Sequence, residues 1–290
     1  MSELSSRVGK GYVVTSTVVS AVFMLLIVAT LLIDSWPAIS QTGWRLFTLE
    51  WNPPAFEFGI LPMLYGSAAV TTIALIIAVP LGVITAVFTS EMLPPRYRFY
   101  VKSLLEILAG IPSIIYGLIG IAFFSIWVRD LFDLQSGRTI LTAGILLAIM
   151  VLPTVITLSD DALQNVPQKY REAAKGLGLY KYEVIRGAVL PIAKADIIGA
   201  VLLALGRALG ETMAVMLVIG SIDKIPHPVF DFLVAGQTIT SKLGREIPEG
   251  AFGSPHFSAM IFMGLLLLIA NLLLTLIAQH YFSPGKRLDE

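Results

Sequence analysis

Apolar residues in this chain gather in long unbroken runs separated by short polar stretches, without the spacing of a helix that is apolar on one face only. Residues 11–33 carry no charged side chain, and comparably apolar runs follow at about 65–90, 103–128, 139–159, 192–220 and 258–279. A hydrocarbon layer about 30 Å thick takes roughly 20 helical residues at about 1.5 Å each. Each run therefore predicts a membrane span, six in all. Pro80, Pro112 and Pro153 fall inside runs and predict kinks rather than breaks. The first run exceeds the apolar core of a cleavable leader, about 7–15 residues, so it predicts a retained anchor. With no internal repeat, low-complexity tract or second domain, the expectation is one all-α membrane domain over 1–290.

Composition agrees. The 290 residues are 56% hydrophobic and 14% charged, with a mean hydropathy of +0.81; a soluble domain is about 25% charged. This excludes a disordered chain, a nucleic-acid-binding domain and an ordinary cytosolic enzyme. It points to lipid as the surrounding solvent. Twenty basic residues balance twenty acidic ones, and there is no cysteine, so disulfides and thiolate metal sites are excluded. His227, His256 and His280 lie far apart in no H-E-x-x-H frame, and no metal site is expected.

The placement of charge orients the bundle. Thirteen lysines and arginines fall on the N-terminal side of the membrane (Arg7, Lys10, the Arg96–Lys102 group, five in the loop 160–191, Lys194, Lys286 and Arg287) against six on the other. That asymmetry predicts cytoplasmic termini. Trp36, Trp44 and Trp51 then lie outside, as interfacial anchors. The outer loops 34–64 and 221–257 are long and contain proline, which suits reception of a partner.

Loop 160–191 is the one long polar stretch on the inner side. Pro167 suits the start of a short helix through Leu177, in which Ala173, Ala174 and Leu177 share a face and Glu172 and Lys175 occupy another. Gly178 suits a left-handed helix terminus, and a second short helix over 180–189 leads to Pro191 and the next span. The segment predicts a helix–turn–helix elbow outside the membrane.

Within it, Glu172-Ala173-Ala174, three residues, Gly178, nine residues, Ala188, Val189, Leu190 and Pro191 resemble the E-A-A-x3-G-x9-I-x-L-P loop of type I ABC importer permeases. Only Ala188 departs, standing where isoleucine is usual. The resemblance implies that the elbow docks into a groove of an ATP-binding subunit through Glu172, Ala173, Ala174, Gly178, Leu190 and Pro191. The chain has no G-x-x-x-x-G-K-[ST] phosphate cradle, so the expectation is a non-enzymatic pore subunit with no cofactor of its own. ATP and magnesium would belong to the partner ATPase.

Charges inside the apolar runs are the remaining chemistry, because such charges are costly and mark function. Arg207 and Glu211 are four apart, on one face if the helix is continuous. Gly206 and Gly210 form a small-xxx-small pair beside them. Two readings follow: an ion pair joining helices, or an anion path in which the planar guanidinium fork meets an oxyanion. Glu106, in the third run, is a head group at the interface, a bond to a kinked helix, or a third member of the path.

The strings Leu108-Ala109-Gly110-Ile111-Pro112-Ser113-Ile114-Ile115-Tyr116-Gly117-Leu118 and Gly206–Ala214 resemble the phosphate-specific importer permeases, the C-type more than the A-type. That resemblance implies phosphate passage at Arg207 and Glu211. It also implies a sister A-type permease, two copies of an ATP-binding subunit, and a phosphate-binding protein meeting the outer loops. Permeases for sulfate, molybdate or phosphonate share the same fork chemistry. An ion-coupled secondary transporter would show repeats and coupling-ion sites and would have no use for the elbow. A membrane enzyme would need a nucleophile–base set that is missing here.

Overall fold

The structure is a computed structural model that describes residues 2–282, with side-chain surroundings over 11–278. Arg7, Lys10, His280, Lys286 and Arg287 therefore lie outside the described side chains. Helices dominate, and six are long and apolar enough to cross a membrane: Gly11–Phe47, Leu61–Met92, Ser113–Leu131, Ile140–Gln164, Lys181–Leu209 and Pro255–Ala278.

The first span consists mainly of α1 (Ser2–Thr42), which runs nine residues past the expected end at 33 and carries Pro37 inside it. A 3-10 turn and a two-stranded antiparallel hairpin, β1 (Trp51–Asn52) and β2 (Glu57–Phe58), occupy much of the first far-side loop. Then α2 (Leu61–Val87) descends and ends in a π-turn over Phe88–Met92.

Its partner is α6 (Ile140–Gln164), the most buried span. Val70, Ala74, Ala78, Gly82 and Ala86 recur every four residues along α2 and are all buried. This stripe of small residues lets two backbones approach closely where no hydrophobic force separates protein from lipid. A Cβ on Gly82 would sit 2.6 Å from Val155 Cγ1, and one on Gly144 would sit 2.5 Å from Ile73 Cγ2. Both helices continue unbroken through their prolines, Pro80 and Pro153.

Pro112 behaves differently. The expected third span, 103–128, is instead α3 (Pro95–Gly110), an extended Ile111–Pro112 link, and α4 (Ser113–Ile119), which runs through a π-turn into α5 (Ser125–Leu131). Ile111 has ψ 128°, the extended conformation that a following proline favours. No residue of α3 is fully buried, so little packing opposes the change of direction before α4. Tyr116 Oη donates to Leu108 O at 2.8 Å across the break.

A second break interrupts the fifth span. The elbow helices α7 (Gln168–Gly176) and α8 (Lys181–Val184) lead through a π-turn into α9 (Leu190–Leu209), and α10 (Met213–Val218) follows three residues later. The expected continuous run 192–220 therefore stops near its middle.

Residues 219–238 fold back against the bundle. Ile140 N donates to Val234 O at 3.0 Å, and Leu141 N donates to Phe232 O at 2.9 Å. The fold-back thus satisfies amides at the start of α6 that its own helix cannot. The chain continues into α11 (Ile239–Glu246), capped reciprocally by Thr238 and Ser241, and finishes with α12 (Pro255–Phe282) against α1.

Candidate functional site: a broken span and a tethered elbow

Arg207 lies in the last turn of α9. Its Nη1 donates to Thr154 Oγ1 on α6 at 3.2 Å. At 1.5 Å per residue, Thr154 lies about 21 Å from the start of α6 and about 15 Å from its end, so the guanidinium sits near mid-span. Arg207 is exposed in the single chain, and Thr154 is its sole side-chain hydrogen-bond partner among the described residues.

Glu211 stands in the break between α9 and α10. Its Oε1 accepts from Ala214 N at 3.3 Å, and its carbonyl accepts from Thr240 Oγ1 of α11 at 2.7 Å. The carboxylate thus turns towards the first turn of α10, where unsatisfied amides favour an anion. No ion pair joins Arg207 to Glu211 among the described residues. The expectation of one helical face carrying both fails because the helix ends at Leu209. The glycine pair also divides. A Cβ on Gly206 would sit 2.7 Å from Asn271 Oδ1 of α12, whereas one on Gly210 would meet only its own backbone, at 3.6 Å and beyond.

Glu106 is on α3 and exposed, outside the candidate spans. It therefore lies one helix before the third candidate span, Ser113–Leu131, rather than within it.

The elbow has the predicted turn. Gly178 has φ +79° with nothing within 4 Å of a Cβ built on it. Ala174 is buried within the chain, whereas Ala173 and Leu177 are exposed. Glu172 is also exposed. Beyond the turn, the expected separate helix over 180–189 merges with the fifth span as one run, Lys181–Leu209. Tyr180 and Glu183 cap its start. In the sequence Leu190 and Pro191 end the motif; in the fold they open α9 inside that run.

Sequence reasoning missed the contacts that fix this elbow. Arg171 Nη2 donates to Glu91 Oε1 at 2.8 Å and to Leu163 O at 2.7 Å, while Nη1 donates to Val166 O. Asp160, buried at the end of α6, binds Lys102 of α3 at 2.8 Å and accepts from Thr89 Oγ1 at 3.0 Å. Burial opposes the charge on Lys102, but Asp160 and Asp161 outweigh it and hold its pKa above the ordinary lysine value. The available signal was the charge change at span ends: a lone Glu91, and paired Asp160 and Asp161, beside basic segments.

At the far end, Lys242 is almost fully buried and is bonded to Asp223 and to Glu246. Glu246 also meets His256 at 3.1 Å and accepts from Trp51 Nε1 at 3.2 Å. Burial works against its charge, yet Lys242 and His256 hold its carboxyl below the usual range.

A broken-span bundle with an E-A-A elbow on one side is the architecture of a transport permease. The chain belongs to the binding-protein-dependent transport system inner membrane components, the family whose sequence profile matches residues 78–287. It is a multi-pass inner-membrane protein. It is 36% identical over 271 residues to the phosphate transport system permease protein PstC of Mesorhizobium japonicum, covering 87% of this chain and 82% of that one. It is 33% identical to PstC of Haemophilus influenzae, covering 89% and 87%. Among solved structures, it matches an inward-facing form of the MetNI methionine ABC transporter with TM-score 0.55 and 17% identity, over 77% of this chain and 92% of that one. A bacterial ABC transporter involved in importing the acidic polysaccharide alginate matches with TM-score 0.56 and 13% identity, over 93% and 96%. Those two likenesses concern the fold alone.

Proposed function

We propose that this chain is the C-type permease half of an ATP-driven importer of inorganic phosphate. The observation that carries the reading is a mid-span guanidinium with one side-chain partner, Thr154, in a chain whose relatives are phosphate permeases. A planar fork with donors to spare suits a tetrahedral oxyanion. A neutral hydroxyl partner competes with a passing anion less than a carboxylate would.

In this reading Arg207 meets the anion. Glu211, fixed on the break, supplies a like charge that keeps the anion from settling. Glu106 on α3 has a place only at the inner mouth of the path. Both termini are cytoplasmic, following the excess of basic residues on the elbow side. The elbow docks an ATPase through Glu172, Ala173, Ala174 and Gly178, with Leu190 and Pro191 carrying its movement into α9. The remaining partners are an A-type sister permease, a second ATPase copy and an extracytoplasmic phosphate-binding protein. ATP and magnesium are held by the ATPases.

The test is uptake of labelled phosphate into vesicles holding this chain with those partners. ATP-dependent uptake that excess sulfate or molybdate fails to displace supports the reading. Preferential uptake of another oxyanion replaces phosphate with that cargo.

A further inference from the structure

Arg171 sits one residue before the Glu172-Ala173-Ala174 segment, yet its guanidinium turns away from the elbow's outer surface. It grips two spans at once. One arm reaches Glu91, in the π-turn ending the α2 segment; both arms reach Leu163 and Val166 carbonyls where α6 ends. The side chains of Arg171 and Glu91 are only 13% and 12% exposed, so the pair is shielded from the screening that makes surface pairs weak.

Both spans lead from the elbow to the break. α2 has 27 residues, about 40 Å of helix. Ser67 near its far end accepts from Ile239 N at 2.9 Å, beside the void that Ser67, Thr71, Glu211 and Thr240 line. α6 carries Thr154, the partner of Arg207. A displacement of α7 is therefore delivered to both sides of the broken span, provided that α2 stays attached to the elbow. Covalently, α2 and α7 are joined only through α3 to α6. Two other polar links hold the α2 turn: Thr89 to Asp160 of α6, and Arg98 of α3 to the Thr89 and Ser90 carbonyls. Glu91–Arg171 is the one ion pair from that turn to the elbow among the described residues.

We propose that Glu91 and Arg171 form a coupling strut, a pair of positioning residues that makes α2 move with the elbow when the ATPase moves it. The proposal rests on the importer reading for its motor, not on phosphate as cargo. Removal of the strut should leave the ATPase docked and hydrolysing while less cargo moves per ATP.

The chain has no cysteine, which allows a reversible test in the reconstituted complex with cysteine-free partners. In Glu91→Gln, ATPase association and hydrolysis should stay within about twofold while uptake per ATP falls about fivefold or more, the lower range of energetic coupling between sites. Glu91→Cys/Arg171→Cys should be uncoupled in the same way. It should regain at least half of the native ratio when a short bifunctional thiosulfonate bridges the two cysteines, and lose it again on reduction. A cargo-independent readout uses spin labels at Lys169→Cys on α7 and Ile84→Cys on α2. Their distance should be the same with and without ATP in the native background and should change with ATP in Glu91→Gln.

Native uptake per ATP in Glu91→Gln, failure of that complex to assemble, or no gain on bridging would overturn the strut. If the native complex moves no phosphate, the cargo reading fails and the label distances decide the strut. Equal ATP responses in both backgrounds then overturn it.

Discussion

Arg207 and Glu211 are four positions apart in the chain, yet a helix end separates them, and each bonds elsewhere: Arg207 to Thr154 Oγ1 at 3.2 Å, Glu211 to Ala214 N at 3.3 Å. This arrangement decides what double substitution can do. Breaking a buried ion pair costs about 3–5 kcal/mol, and neutralising both partners recovers it. With no pair to break, Arg207→Gln and Glu211→Gln should both assemble, and the double variant should transport no better than the worse single. Arg207→Lys keeps the charge but loses the fork, so uptake per assembled complex should fall about tenfold, equivalent to about 1.4 kcal/mol. Phosphate uptake normalised to complex measures all four; recovery in the double variant would reinstate the ion pair.

The two glycines beside them make separate predictions. Gly206 lies against α12, where a Cβ would come 2.7 Å from Asn271 Oδ1, while Gly210 faces only its own backbone. Alanine at 206 displaces the end of one side chain. Valine at 206 wedges two helices apart, at a cost of about 1–3 kcal/mol. The level of folded protein in membranes should fall for Gly206→Val and stay near native for Gly210→Ala. Equal loss in both would mean that α9 and α12 do not meet at Gly206.

The spans were legible because their signal is length and apolarity, which lipid demands of any crossing helix. The elbow was legible because Pro167 and Gly178 impose backbone conformations that neighbours do not override. The two breaks were not. Pro80, Pro112 and Pro153 look alike in sequence, and packing separates them: α2 and α6 bury many residues and run on through their prolines, while no residue of α3 is fully buried. In the break after Leu209, the Glu211 carbonyl accepts from Thr240, 29 positions further along the chain. The spacing of Arg207 and Glu211 implied a shared face only on the assumption of a continuous helix. Glu91, Thr154 and Arg171 stayed hidden for a related reason: their roles lie in long-range partners, and one chain without alignment carries no record of partnership.

The far-side cluster predicts acid sensitivity. Glu246 has its pKa held down in the fold, with burial opposed by Lys242 and His256. A carboxylate with a lowered folded pKa adds stability that is complete above its unfolded value, about 4.3. That stability is lost as pH falls through the lower folded value. Thermal stability of the purified chain in detergent should therefore drop on acidification below about pH 4.3. Glu246→Gln should lower stability at neutral pH, because Lys242 keeps only Asp223, and should make the acid-dependent drop smaller. An unchanged acid profile in Glu246→Gln would assign the sensitivity to other carboxylates.

Gly178 offers the cleanest separation of shape from charge in the elbow. Its φ of +79° lies in the left-handed region, and nothing approaches within 4 Å of a Cβ there. A side chain at this position therefore meets no neighbour within the chain; its cost is conformational, roughly 1–2 kcal/mol for an ordinary L residue. Asparagine tolerates this region better than most residues, and a β-branched residue least. Gly178→Asn should keep ATPase association close to native, whereas Gly178→Val should weaken it by about five- to thirtyfold, the equivalent of that strain. Glu172→Gln changes an exposed charge without strain, so it should alter the salt dependence of association rather than the stability of the chain. Co-purification with the ATPase across a salt series, alongside melting of the permease alone, separates the two effects. Equal association for Gly178→Asn and Gly178→Val would show that the left-handed turn is dispensable for docking.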